Sequence, residues 1–135
     1  MSRRLVLIDS SVWVTHLAGR GNGLAGPVSD LILAEQATIN SVIRVELLTG
    51  ARDEAQYSEL SDALSAIPLL PLSEMVWLHA ERLRFMLRRH GKLVPVPDVV
   101  IACCALVHDC ELLHADRHFN AIADLISLKI HRVAR

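Results

Sequence analysis

The sequence has no excess of charge of either sign: 14 Lys and Arg stand against 15 Asp and Glu, a formal net charge of -1. That excludes recognition of a polyanion by bulk charge alone, although an acidic site and a basic patch cancel in such a sum. Cysteine is scarce. Cys103, Cys104 and Cys110 are odd in number and clustered, and no Cys-x-x-Cys pair stands elsewhere. This argues against a zinc site or a disulfide framework and leaves the three as buried free thiols packing like small apolar groups. Long hydrophobic runs are missing too. The longest, residues 99–107, is too short to span a bilayer. The four apolar residues between Arg4 and Asp9 are too few for a signal-peptide core. The expectation is a cytoplasmic protein that does not enter the membrane. The glycine-rich piece 19–23 reads as a loop but lacks the spacing and the following Lys-Ser/Thr of a phosphate loop, and no His-Glu-x-x-His pair occurs. No repeat, low-complexity tract or second domain is visible, so residues 1–135 are expected to form one domain.

What is present is apolar patterning. Hydrophobic residues make up 52% of the chain, enough for a substantial core with some left for a partner surface. Residues 4–8 read as a buried strand, and Asp9-Ser10-Ser11 as the start of a helix. Helices are expected at 24–36, at 42–51 capped by Ser41 and ending at Gly50, and at 53–66. A longer one, 74–90, is capped by Ser73 and stopped by Gly91. Strands are expected at 37–40 and, weakly and at an edge, at 67–72, where Pro68 and Pro71 interrupt. Pro95 and Pro97 hold the approach to Asp98 extended. A helix over 98–108, a strand over 111–115, a short turn or helix over 117–123 and a last strand over 127–133 complete the pattern. Strands alternating with helices imply an α/β fold with a mostly parallel central sheet covered on both faces.

In such sheets ligands bind outside the carboxyl ends of the strands. Asp9 and Asp116 both follow expected strands, which puts both at that edge. Asp98 opens a helix whose small residues Ala102, Cys103 and Ala105 allow close packing on the sheet. Glu46 interrupts an apolar stretch, and its helical neighbours Val42, Ile43, Thr49 and Gly50 are apolar or small. Taken singly, Asp9 and Asp98 also read as helix caps and Asp116 as an Asx-turn residue. Taken together, like charges in one crevice resist ionising, and a hard divalent cation with oxygen ligands is the simplest compensation.

The other polar residues are more equivocal. His114 and His118 flank Asp116, within reach of a metal or phosphate. Arg82, Arg84, Arg88, Arg89 and Lys92 form a basic helix end that suits either solvent or a phosphate backbone. Trp13, Trp77 and Phe85 are expected in the core or an interface.

Four segments now resemble a known pattern. LVLIDSSVW at 5–13 resembles the opening of PIN-domain proteins, whose first strand ends in Asp-x-Ser/Thr. SVIRVELLTGA at 41–51 resembles their second motif, PDVVIACCA at 97–105 the third and LLHADRHF at 112–119 the fourth. Order, spacing and chain length look most like the VapC toxins of bacterial type II toxin–antitoxin systems. The resemblance implies a three-layer PIN-like fold and an endoribonuclease dependent on Mg2+ or Mn2+. It implies Asp9, Glu46, Asp98 and Asp116 as the catalytic, metal-binding quartet; Ser11 and His118, standing beside two of these acids, are candidate auxiliaries by position alone. It also implies a homodimer, a VapB-type antitoxin partner, and tRNA or rRNA as substrate. The fourth motif departs from the family: a hydroxyl residue often stands two before its Asp and an acid two after, where this chain has His114 and His118. Imidazole suits manganese or zinc better than magnesium. That departure keeps a non-catalytic PIN-like protein-binding module as the alternative. A phospho-acceptor receiver domain fits less well, because Asp53 follows a helix and Lys129 lies inside the last expected strand.

Overall fold

The computed structural model describes residues 4–17 and 25–133; the expected glycine loop at 19–23 lies outside them. Three short strands, β1 (Val6–Ile8), β2 (Ala37–Thr38) and β3 (Glu111–Leu113), form a parallel sheet in the order β2-β1-β3. Val6 pairs with both Ala37 and Glu111, so the first strand is central. All three of its residues are buried, as a strand covered on both faces requires. Single parallel bridges, Ile39 to Leu69 and Leu112 to Ile130, widen the sheet at its two edges. The expected edge strand at 67–72 and the last strand at 127–133 are thus each reduced to one bridged position. At the first, Pro68 has no N–H to offer a longer ladder.

Among the described residues seven helices flank the sheet: α1 (Ser10–Leu17), α2 (Ala25–Leu33), α3 (Ser41–Thr49), α4 (Glu54–Leu64), α5 (Glu74–Arg89), α6 (Val96–Val107) and α7 (His118–Ala123). The cap of α3 is Asn40, whose side chain accepts a hydrogen bond from Ile43 N at 3.0 Å; Ser41 is already helical. Ser73 precedes α5 as expected but makes no side-chain cap bond. Gly91 follows with φ +73°, the left-handed conformation that ends this helix and that a side chain would strain. The approach to Asp98 is extended only at Pro95, with φ -57° and ψ 143°. Helix α6 begins at Val96, and Pro97 occupies its first turn, where a missing N–H costs nothing.

Helix α6 is the centre of the core. Residues 98–105 are all buried, so its polar first turn is carried in among apolar neighbours. Trp13 is in the core at 3% exposure, whereas Trp77 and Phe85 on α5 are 45% and 55% exposed, and only the interface half of their expected role remains open. The three cysteines are free and buried. Burial pushes Cys103 up to about 12 and Cys110 up to about 11, and raises Cys104 as well. The thiolate is the reactive form. Native protein at pH 8 should therefore show no fast thiol on titration with a disulfide reagent, and all three after unfolding. One fast thiol in the native state would contradict this packing.

Candidate metal centre

The carboxyl ends of β1 and β3 lie side by side, because Asp9 N donates to Leu113 O at 2.9 Å. The chain then turns into α1, and Asp9 does two things. Its Oδ2 accepts from Ser11 N at 3.1 Å and from Ser11 Oγ at 2.5 Å, which caps the helix. Its Oδ1 is buried and has no hydrogen-bond partner among the described residues. Ser11 Oγ also accepts from Ala115 N at 3.0 Å and so ties the end of β1 to the segment after β3.

Asp98 is the third residue of α6, where the helix N-terminus favours an anion, and it is 8% exposed. Its Oδ2 lies 2.9 Å from His118 Nδ1. Asp116 stands between β3 and α7. Its Oδ1 accepts from His118 N at 2.9 Å, an Asx turn, and lies 3.1 Å from His118 Nδ1. Among the described residues, Asp98, Asp116 and His118 each bring one ligand atom within 4.8 Å of the others. Asp9 and Glu46 flank this group. Glu46 stands on α3, half-buried, with Ser10 Oγ donating to its Oε1 at 3.0 Å, and feels the charges of Asp9, Asp98 and Asp116.

The acids act on one another through their charges. Burial raises Glu46 above the ordinary carboxylate range; the Ser10 hydrogen bond opposes this, and the charges of Asp9, Asp98 and Asp116 add to it. Burial likewise raises Asp98, opposed by its hydrogen bond from His118 and reinforced by Asp116 and Asp9. Both acids hold a proton more readily folded than unfolded. Their contribution to stability is full at pH values below the ordinary carboxylate range and is lost as pH rises through the raised values. At neutral pH the metal-free site therefore works against folding. Glu46→Gln should raise the melting temperature of chelator-treated protein at pH 7.5, and the gain should shrink toward pH 4.5. Thermal melts at the two pH values test this; an equal gain at both would remove the electrostatic explanation.

The donor set fits a divalent cation. Several carboxylate oxygens and one imidazole converge, and a buried unpaired acceptor such as Asp9 Oδ1 costs about 1–3 kcal/mol unless a positive group meets it. One role was not legible in sequence and another was legible only in part. Ser10 orients Glu46, although its only local signal was a place beside Asp9. His118 sits inside the tightest group rather than beside it. His114 is tied to its neighbours: its Nδ1 accepts from Asp116 N at 3.2 Å, its ring lies 4.9 Å from that of Phe119, and burial lowers its pKa against the opposing charges of Asp9 and Asp116.

Known proteins share this architecture. The PIN domain model matches residues 6–125. A VapC ribonuclease of Mycobacterium bovis is 30% identical over 129 residues, covering 93% of this chain and 96% of its own. Ribonuclease VapC19 of Mycobacterium tuberculosis is 30% identical over 126 residues, covering 88% and 95%. Among solved structures, VapBC2 from Rickettsia felis, bound to a promoter DNA fragment, superposes with a TM-score of 0.77. Its identity is 18%, and the match covers 94% of this chain and 97% of that one. VapBC-1 from nontypeable Haemophilus influenzae gives 0.76 at 21% identity, covering 94% and 96%. At these identities the structural likeness speaks for the fold. With the family model and the sequence relatives both spanning nearly its whole length, the chain belongs to the PIN-domain family, among the VapC-type ribonucleases.

Proposed function

We propose that this chain is a divalent-metal-dependent endoribonuclease, the toxin of a VapBC-type pair, which hydrolyses phosphodiester bonds in a structured RNA such as tRNA or rRNA. The observation that carries this reading is the gathering of Asp9, Glu46, Asp98 and Asp116 at one sheet edge, with a buried Asp9 oxygen left unpaired. Asp9, Asp98 and Asp116 would hold the ion, Mg2+ or Mn2+. Such an ion neutralises phosphate charge and makes a nearby water more acidic. Glu46, already biased toward binding a proton, is suited to take one from the attacking water, and Ser10 fixes which of its oxygens is free. Ser11 holds Asp9 and the segment after β3 in register. Unaided, the acids would repel RNA, so the ion is also the substrate's point of attachment.

Two surfaces suit the proposed partners. A cleft of about 540 Å³ between α1, α3 and α4 is lined by Val14, Leu17, Leu47 and Leu60, on the helix that carries Glu46. An apolar segment of the VapB-type antitoxin would fill it and cover the site. On α5 and α6, a groove of about 390 Å³ is lined by Trp77, Phe85 and Val96 and rimmed by Glu81, Arg84 and Arg88. Opposite charges along one helix can pair with their own copies across a two-fold axis, so this face suits a homodimer. Among the described residues no helix is long and apolar enough to cross a membrane, and an RNA substrate fits a cytoplasmic location.

The test is cleavage of total RNA by antitoxin-free protein with Mg2+, with Mn2+ and with chelator. Cleavage is expected with the ions and none with chelator. Cleavage that persists in chelator would defeat the metal mechanism. Stable binding of a protein partner, with no ion bound and no cleavage, would favour the non-catalytic module.

A further inference from the structure

The position two residues after Asp116 holds an imidazole, and its place in the cluster bears on which ion the site takes. His118 Nδ1 lies 2.9 Å from Asp98 Oδ2 and 3.1 Å from Asp116 Oδ1. Neighbouring ligands on an octahedron with bonds of about 2.1 Å stand about 3.0 Å apart. The two distances from Nδ1 match two edges of such a shell, and all three donor atoms lie within 4.8 Å of one another. The backbone makes that spacing stiff: His118 N is fixed to Asp116 Oδ1, and His118 opens α7, whose next residue, Phe119, is fully buried. Nδ1 stands between the two carboxylates, so an ion held there would take the Nδ1 lone pair of the tautomer whose hydrogen sits on Nε2. An unpaired oxygen independently marks the same site as built for a cation: Asp9 Oδ1, on a residue 2% exposed whose charge acts on both Asp98 and Glu46.

We propose that His118 Nδ1 is itself a ligand, forming with Asp98 and Asp116 a nitrogen-containing face that makes this site take a first-row transition ion such as Mn2+ ahead of Mg2+. Mg2+ is hard, prefers oxygen and gives up its waters reluctantly, so an imidazole in its shell is a penalty. For transition ions the same imidazole is a favourable ligand. The inference rests on the proposed reading of the cluster as a metal site, and it assigns to a single side chain the choice between ions.

Pulsed electron paramagnetic resonance of Mn2+ added to the metal-free full chain reads the ligand directly. Nitrogen hyperfine modulation is expected in the unsubstituted protein and absent in His118→Asp, which still binds Mn2+ through oxygen. In a competition titration, the Mg2+ concentration needed to displace Mn2+ should fall on the order of tenfold in His118→Asp, the scale on which changes around a bound metal act. Circular dichroism and a thermal melt establish that the variant is folded; if it is not, His118→Asn is read in the same way. Mn2+ bound without nitrogen modulation, or modulation that survives in the variant, would overturn the proposal and leave the carboxylate metal site standing. Failure of the unsubstituted chain to bind Mn2+ at all would overturn both.

Discussion

Asp98→Asn should lower single-turnover RNA cleavage by roughly 100- to 1,000-fold, the loss typical when one preorganised charge is removed from a reacting centre. The replacement is nearly isosteric, and its amide oxygen can still accept from His118 Nδ1, so the fold around α6 has no reason to change. What disappears is a negative charge held 8% exposed at a helix N-terminus, beside three other acids. The same argument predicts that the double variant Asp98→Asn with Asp116→Asn is little worse than either single one, because groups that act as a unit are not additive. Cleavage of one defined RNA hairpin, at saturating ion and across a range of ion concentrations, checks both statements. Wild-type rates in Asp98→Asn would move the cleaving centre away from this cluster.

Phe119→Ala should be the most damaging single substitution outside the carboxylates. Phe119 is fully buried, packs its ring against His114, and holds α7 against the body of the protein. Removing such a side chain costs about 3–5 kcal/mol. For a chain of this size that is a fall in melting temperature of roughly 10 °C or more. The consequence for function is separate from stability. His118 precedes Phe119 directly, and the Asx turn at Asp116 leads into the same helix. Leu87→Ala provides the comparison: Leu87 is equally buried but lies near the end of α5, and its loss costs about 2–5 kcal/mol. At a temperature where both variants are folded, Phe119→Ala should have lost most of its cleavage and Leu87→Ala little. Equal losses in the two would mean that α7 does not hold the site.

The particular residues explain what was readable beforehand. Asp9 and Asp116 were placed at the sheet edge because each comes after an apolar strand, a local signal: Asp9 directly after β1, and Asp116 just beyond β3, which ends at Leu113 rather than at Ala115 as expected. The long helix α5 was legible for the same reason, with Gly91 as its stop. The start of α6 was misread because proline looks alike in an extended approach and in a first helical turn; what separates them is the packing of the residues that follow. The last strand shrank to a bridge at Ile130 because its length depends on what Leu112 offers across the sheet. His118 was underweighted because no local pattern reports that its ring turns toward Asp98, 20 residues earlier. Sequence shows which side chains carry chemistry; long-range contacts decide which of them meet.

The pairing of Val6 with Glu111 has a consequence for how the molecule is made. Strand β1 cannot find β3 until everything from α1 to α6 has left the ribosome, and parallel pairing over such a distance is slow to form. Asp116 and His118 emerge later still. A nascent or truncated chain would therefore be harmless to the RNA around it. The cluster could begin to act only after α7 has been made and docked.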